Sequence, residues 1–391
     1  MSIVLARSIR HAYRLVVRPT LFRFDPEAVH TRMVRLGELL GKQAVSRVVA
    51  RATLGSTNPI LAQTCAGIRF RSPFGLAAGF DYEASLTGIL PSLGFGFQTI
   101  GTITNGAYSG NPRPRLGRLV RSRSLMVNKG FKNAGIDAVL AKLSTRQLHG
   151  PVGLSIGQTN GPSIRTADDA VRDIVAAFRA ARSSGIEFSY YELNISCPNL
   201  GKSISFSDPD RFDALLEATD ALDLRTPILI KLPISVPDDT IRALVRTATK
   251  HRVHGVIIGN LQKDRTDPAL DPAEVSRFPS GNFSGLPTQY RSDELIRLVH
   301  NLAGDRLLIV GCGGVFAAED AYRKIRAGAS LIQLITGLIY EGPQLIAELN
   351  DKLAVLLARD GYSSIREAVG SDRLTISASR AHRGRHPARR G

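Results

Sequence analysis

From residue 74 onward the chain alternates between two patterns of apolar and polar positions. Short, nearly continuous apolar runs fall at 74–80, 97–101, 152–157, 190–196, 227–232, 255–260, 306–312 and 331–336. Runs of that length without polar alternation suit parallel strands covered on both faces. Between them, apolar residues recur every three or four positions, as in 168–184, 209–221, 239–250, 293–301 and 318–327, which predicts amphipathic helices. Eight strand–helix units predict an α/β fold, a (β/α)8 barrel. A doubly wound sheet is the alternative, but no glycine-rich nucleotide fingerprint follows the first strand.

Ahead of the barrel, 26–40 predicts a helix with Val29, Met33, Leu36, Leu39 and Leu40 on one broad apolar face. Such a face can pack on the barrel or lie at a membrane surface. The pattern divides the chain into a helical extension at 1–65, a barrel at 66–370 and a basic, disordered tail at 371–391.

Composition sharpens this picture. The 391 residues carry a net charge of +17, concentrated at the ends. Arg7, Arg10, Arg14, Arg18 and Arg23 face no acid within the first 23 residues, a pattern that attracts anionic lipid. Arg373, Arg380, Arg383, Arg385, Arg389 and Arg390 oppose Asp372 alone; this tail reads as solvated chain, and no nucleic-acid partner is expected. Three scattered cysteines, Cys65, Cys197 and Cys312, make neither a metal-ligand spacing nor a disulfide framework and point to a reducing compartment. No secretory signal and no membrane-spanning run is expected.

The residues capable of chemistry fall at the C-terminal ends of the expected strands, where barrels of this kind keep their active sites. Strand four ends in Asn194-Ile195-Ser196-Cys197-Pro198-Asn199. Two carboxamides can read a flat ring of amide and carbonyl groups, and a thiol between them gives up its proton more readily than a serine would. Lys231 lies inside an apolar strand and needs an anionic or polar partner there. Gly311-Cys312-Gly313-Gly314 follows strand seven and precedes a helix, a place suited to a phosphate. Asn128 and Asn260 add two more carboxamides, and the four together suggest a small, polar, uncharged heterocycle. A buried structural cysteine at a strand-to-turn junction is the plain alternative for Cys197.

Several of these stretches resemble the dihydroorotate dehydrogenases: Gly75-Leu76-Ala77-Ala78-Gly79-Phe80-Asp81, Gly110-Asn111-Pro112-Arg113-Pro114-Arg115, Asn194 to Asn199, Lys231, Asn260, Ser284-Gly285 and Arg326-Ala327-Gly328-Ala329-Ser330-Leu331. The likeness runs from about residue 19 to about residue 370. Leu21 to Glu27 resembles the helical extension of the class 2 enzymes, which are membrane-associated, contain FMN and pass electrons to quinone. The resemblance implies that Cys197 is the general base. Asn128, Phe131, Asn194, Asn199 and Asn260 would bind the substrate. Ala77, Ala78, Gly79, Thr102, Ser155, Lys231, Ser284, Gly285, Cys312, Gly313, Gly314, Ile335 and Thr336 would hold FMN, with no metal. It further implies oxidation of dihydroorotate to orotate in pyrimidine biosynthesis, and peripheral attachment to the inner face of the cytoplasmic membrane if the source is bacterial.

Four positions depart from the class 2 pattern. Cys197 stands where class 2 has serine and class 1 has cysteine. Tyr82 replaces a lysine, Leu261 a hydroxyl residue and Ser155 an asparagine. Two rival readings stay open: an FMN barrel acting on another reduced heterocycle or using a soluble acceptor, and a non-catalytic basic binding protein.

Overall fold

The computed structural model describes residues 3–200 and 204–372, with the side chains of 3–7 left aside. The basic tail beyond Asp372, with its expected disorder, and the side chain of Arg7 lie outside the described residues. Eight parallel strands close a barrel in chain order: β1 (Phe74–Leu76), β2 (Phe97–Ile103), β3 (Val152–Ile156), β4 (Tyr190–Asn194), β5 (Ile228–Leu232), β6 (Gly255–Ile258), β7 (Leu308–Cys312) and β8 (Leu331–Leu334), which pairs back with β1. All eight expected strands are present. Several end earlier than their apolar runs, because the last residues of each run turn out of the sheet at the mouth: Ala77 to Phe80 form a loop after β1, and after β8 Ile335 caps a helix that starts at Thr336.

The helices begin where local chemistry starts them. Thr166 Oγ accepts from the Asp169 N–H at 3.1 Å, while the Asp169 carboxylate accepts from the Thr166 N–H at 2.9 Å. This reciprocal cap opens the helix Ala167–Ser183. Asp208 caps Pro209–Asp220 in the simpler way.

The N-terminal half of the barrel is filled by Phe70, Phe97, Tyr190, Leu229, Ile257, Val310 and Leu331. Each large side chain so buried contributes roughly 1.5–3 kcal/mol. Gly153 makes room for one of them: a Cβ there would sit 2.2 Å from the Tyr190 ring. Phe70 comes from a hairpin, Gln63–Cys65 with Ile68–Phe70, which straddles the expected boundary at residue 65 and sends its last residue into the barrel core.

Two features correct the reading of the extension. Its helices Ile3–Ala12 and Arg18–Phe22, joined by the π turn Tyr13–Val17, carry arginines that do meet acids, supplied by distant parts of the chain. Arg10 Nε donates to Glu348 at 2.8 Å, Arg14 Nε to Glu341 at 2.9 Å, and Arg18 to the Tyr340 carbonyl at 3.0 Å. These guanidiniums pin the helices to the barrel. The apolar residues, by contrast, point outward. On Pro26–Lys42, Met33, Leu36, Leu39 and Leu40 are exposed, as are Val45, Val48 and Val49 on Ala44–Leu54. Among the described residues, no helix is long and apolar enough to cross a membrane.

A three-stranded antiparallel sheet, Leu116–Leu119, Ser124–Val127 and Asn282–Phe283, had no counterpart in the sequence reading. It holds the loops around residues 111, 128 and 282 together beside the mouth.

Candidate active site

Inside the barrel mouth, polar side chains from neighbouring strands form one directed chain of hydrogen bonds. Asn260, just beyond β6, donates to Ser196 Oγ. Ser196 donates to Asn194 Oδ1 at 2.9 Å, and Asn194 Nδ2 donates to Thr102 Oγ at 2.8 Å. Thr102 and Ser155 are 2.8 Å apart, and Ser155 donates to Glu192 Oε1 at 2.7 Å. Because the Ser155 proton is used on the carboxylate, Thr102 is the donor to Ser155. The Asn194 amide orientation is fixed independently, since its Oδ1 also accepts the Ser196 N–H. Glu192 Oε1 lies 3.7 Å from Lys231 Nζ, with both side chains buried. Lys231 therefore faces the barrel interior, and its anionic partner is a protein carboxylate that the sequence reading had not singled out. Glu192 Oε2 has no partner among the described residues.

Cys197 follows this chain on the β4 loop, half-buried. Burial pushes its thiol up to about 11, against the pull of the Asn199 N–H, Lys231 and Lys263. Cys197 and Asn199 share a cavity with Asn194, Asn260, Lys231 and Phe131, and with Ala78 and Gly79 on the β1 loop. Asn199 is held from both sides: its Nδ2 donates to the Val127 carbonyl at 3.0 Å and its Oδ1 accepts from Asn282 at 2.6 Å. Asn128 is placed differently from the other three. Its side chain accepts from Asn111 at 2.9 Å and donates to Ser280 at 3.3 Å, and it is absent from the lining of this cavity.

A second cavity shares Ala78, Lys231, Asn260, Ser284, Ile335 and Thr336 with the first and adds Ala77, Gly285, Cys312, Gly313 and Gly314. The two make one elongated slot. Ser284 and Thr336 face each other at 2.8 Å within it. At the far end Gly314 has φ +67°, and a Cβ there would come 2.3 Å from Gln289 Cβ, so the position admits only glycine. The helix after this loop, Ala318–Ala327, is already capped: Asp320 accepts the N–H groups of Phe316 and Ala317, both at 2.9 Å. An anion at this end would meet the glycine loop just ahead of this helix.

The β1 loop closes the other side. Tyr82 has His30 at 5.4 Å between ring centroids and Lys129 Nζ at 4.4 Å from its own. His30 Nε2–H donates to the Phe80 carbonyl at 2.8 Å and burial holds this imidazole down at about 4. His30, Phe80, Tyr82, Lys129 and Lys132 also line an outer cavity of about 750 Å³ between Pro26–Lys42 and the barrel.

This arrangement can be set beside known proteins. The family model described as dihydroorotate dehydrogenase matches residues 60–357. The chain belongs to the dihydroorotate dehydrogenase family. A Mycobacterium tuberculosis protein named dihydroorotate dehydrogenase (quinone) is 34% identical over 358 residues, covering 92% of this chain and 98% of its own. One of the same name from Anaeromyxobacter sp. is 38% identical over 372 residues, covering 91% and 96%. The crystal structure of the Eimeria tenella DHODH in complex with ferulenol superposes with a TM-score of 0.77 at 26% identity, covering 89% of this chain and 96% of that one.

Within this dihydroorotate dehydrogenase fold, sequence reasoning gave no role to four polar residues at the mouth: Ser196 and Asn111, which it quoted only within longer stretches, and Glu192 and Asn282. Glu192 could have been found by the test that found Lys231, a charge inside an apolar strand. Asn111 and Asn282 reach the mouth only through the antiparallel sheet, which leaves no periodic signal.

Proposed function

We propose that this chain oxidises dihydroorotate to orotate and passes the electrons to a quinone. One observation carries the reading: Cys197, the carboxamides Asn194, Asn199 and Asn260, and Lys231 converge on a slot whose other end is a glycine loop. That combination sits in a chain similar over nine-tenths of its length to proteins named dihydroorotate dehydrogenase (quinone).

The slot fits FMN by its chemistry. A glycine loop and the Ser284–Thr336 hydroxyl pair suit a phosphate at one end, and Ala77 to Gly79, Thr102, Ser155, Lys231 and Ile335 would hold a flat ring at the other. FMN held there would supply the acceptor for the hydride that leaves C6 of the substrate. The chain's own part is to hold the ring and move the proton. Asn194, Asn199 and Asn260 orient the heterocycle. Cys197 as thiolate takes the proton from C5, so that a C5=C6 double bond forms as one proton and one hydride leave. General-base help of this kind is worth about 10²- to 10⁴-fold. The hydrogen-bonded chain from Asn260 to Glu192 keeps these groups in one orientation.

The quinone route fits the outer cavity beneath Pro26–Lys42. Its outward apolar residues would seat the extension, residues 1–65, on a membrane surface without spanning it, at the inner face of the cytoplasmic membrane in a bacterium. Purified protein given a panel of reduced heterocycles should bleach its flavin with dihydroorotate and not with the others. Bleaching by a different heterocycle alone would overturn the substrate assignment.

A further inference from the structure

Three lysines line the cavity that holds Cys197 and Asn199, and no aspartate or glutamate lines it. Two of the three have protein partners. Lys231 has Glu192, and Lys132 donates to Glu27 at 3.1 Å. Lys129 is different. It is 6% exposed, and among the described residues no carboxylate comes within ion-pair distance of its ammonium. Its close neighbour is the π face of Tyr82, with Nζ 4.4 Å from the ring centroid. A ring face contributes only about 0.5–2 kcal/mol to holding a cation, far less than burying an unpaired ammonium costs. Burial accordingly holds Lys129 down at about 8, with Glu27 too distant to restore it. Lys129 lines both this cavity and the outer one, and on the side of Cys197 and Asn199 no carboxylate answers its charge.

An anion on the reactant answers it. The cofactor's phosphate belongs at the glycine loop, and Gly313 and Gly314 line the other part of the slot. We propose that Lys129 is the cation that receives the carboxylate of dihydroorotate and of the product orotate, with Tyr82 as the platform that aims its ammonium. The inference rests on the proposed function and adds to it a specificity-determining residue on the loop after Val127. The carboxylate is on C6, so this contact also places the carbon that loses hydride.

The test compares orotate with uracil, the same ring without a carboxylate, by calorimetry and flavin difference spectra on the full-length flavoprotein. Lys129→Gln should weaken orotate by about 30-fold or more, the scale of unpairing a buried charge, and leave uracil within about 3-fold. Tyr82→Lys combined with Lys129→Gln should recover orotate binding, because the Tyr82 side chain already reaches the present ammonium, its ring centroid 4.4 Å from Nζ. Orotate binding unchanged in Lys129→Gln, or uracil and orotate weakened alike, would overturn the assignment. If Lys129→Gln does not fold, the double variant decides: folded but unable to bind orotate contradicts the proposal, and binding supports it. A parent protein that binds neither ligand and is not reduced by dihydroorotate would remove the functional reading itself; an intact parent with an indifferent Lys129→Gln removes only the role of Lys129.

Discussion

Glu192 Oε1 sits 3.7 Å from Lys231 Nζ on the adjacent strand, and both side chains are closed off from solvent. Removing one member of such a pair leaves the other charged and unpaired in the interior, at a cost of about 3–5 kcal/mol. Glu192→Ala should therefore lower unfolding stability by about that amount in denaturant titrations. Glu192→Gln should cost less, because Ser155 keeps an acceptor. A loss well below 1 kcal/mol for Glu192→Ala would mean that Lys231 finds another anion.

The base predicts a pH profile. A thiolate is the active form, and burial raises the Cys197 thiol to about 11, so the thiolate fraction is small at neutral pH and grows with each pH unit. Flavin reduction by dihydroorotate should keep rising through pH 9 instead of levelling near the ordinary cysteine value of about 8.5. Cys197→Ala should be slower by about 10²-fold or more and lose that slope. Stopped-flow reduction rates across pH check both statements, and a flat profile in the parent protein would rule out thiolate control.

The phosphate end needs a variant that does not disturb packing. Gly314 is unsuitable, since any side chain there strikes Gln289. Thr336→Ala removes one hydroxyl from the pair with Ser284 and should weaken FMN about 10-fold or more in titrations of the apoprotein, the scale of one hydrogen bond to a charged group. Unchanged FMN affinity would place the phosphate elsewhere.

Much of the architecture was legible because it is written in periodicity. All eight barrel strands and the six helices named from the sequence, the one at 26–40 included, are where their apolar patterns put them. The glycine loop and the β4 loop were legible as chemistry that buried strands seldom end in. What was not legible depends on distance along the chain. The N-terminal arginines look unopposed until Glu341 and Glu348 are folded against them. The direction of the apolar face on Pro26–Lys42 was left open by the sequence, because the same stripe suits a core or a lipid surface. The partner of Lys231 lay only 39 positions away, on the next strand, hidden by treating the run around Glu192 as uniformly apolar.

That outward stripe makes its own prediction. Leu36→Glu with Leu39→Glu should reduce binding to lipid vesicles at least 10-fold, since each leucine withdrawn from lipid forfeits roughly 1.5–3 kcal/mol. Neutralising Arg14, which is tied to Glu341, should change vesicle binding little. Sedimentation with vesicles measures both. The reverse ranking would restore the arginines as the membrane contact.

The most direct test is an anaerobic two-step titration of the purified flavoprotein. Dihydroorotate should bleach the flavin in one equivalent with release of orotate, and a quinone, but not fumarate, should then restore the colour within the enzyme's turnover time. A flavin that dihydroorotate leaves oxidised, or one that fumarate restores and quinone does not, would contradict the account.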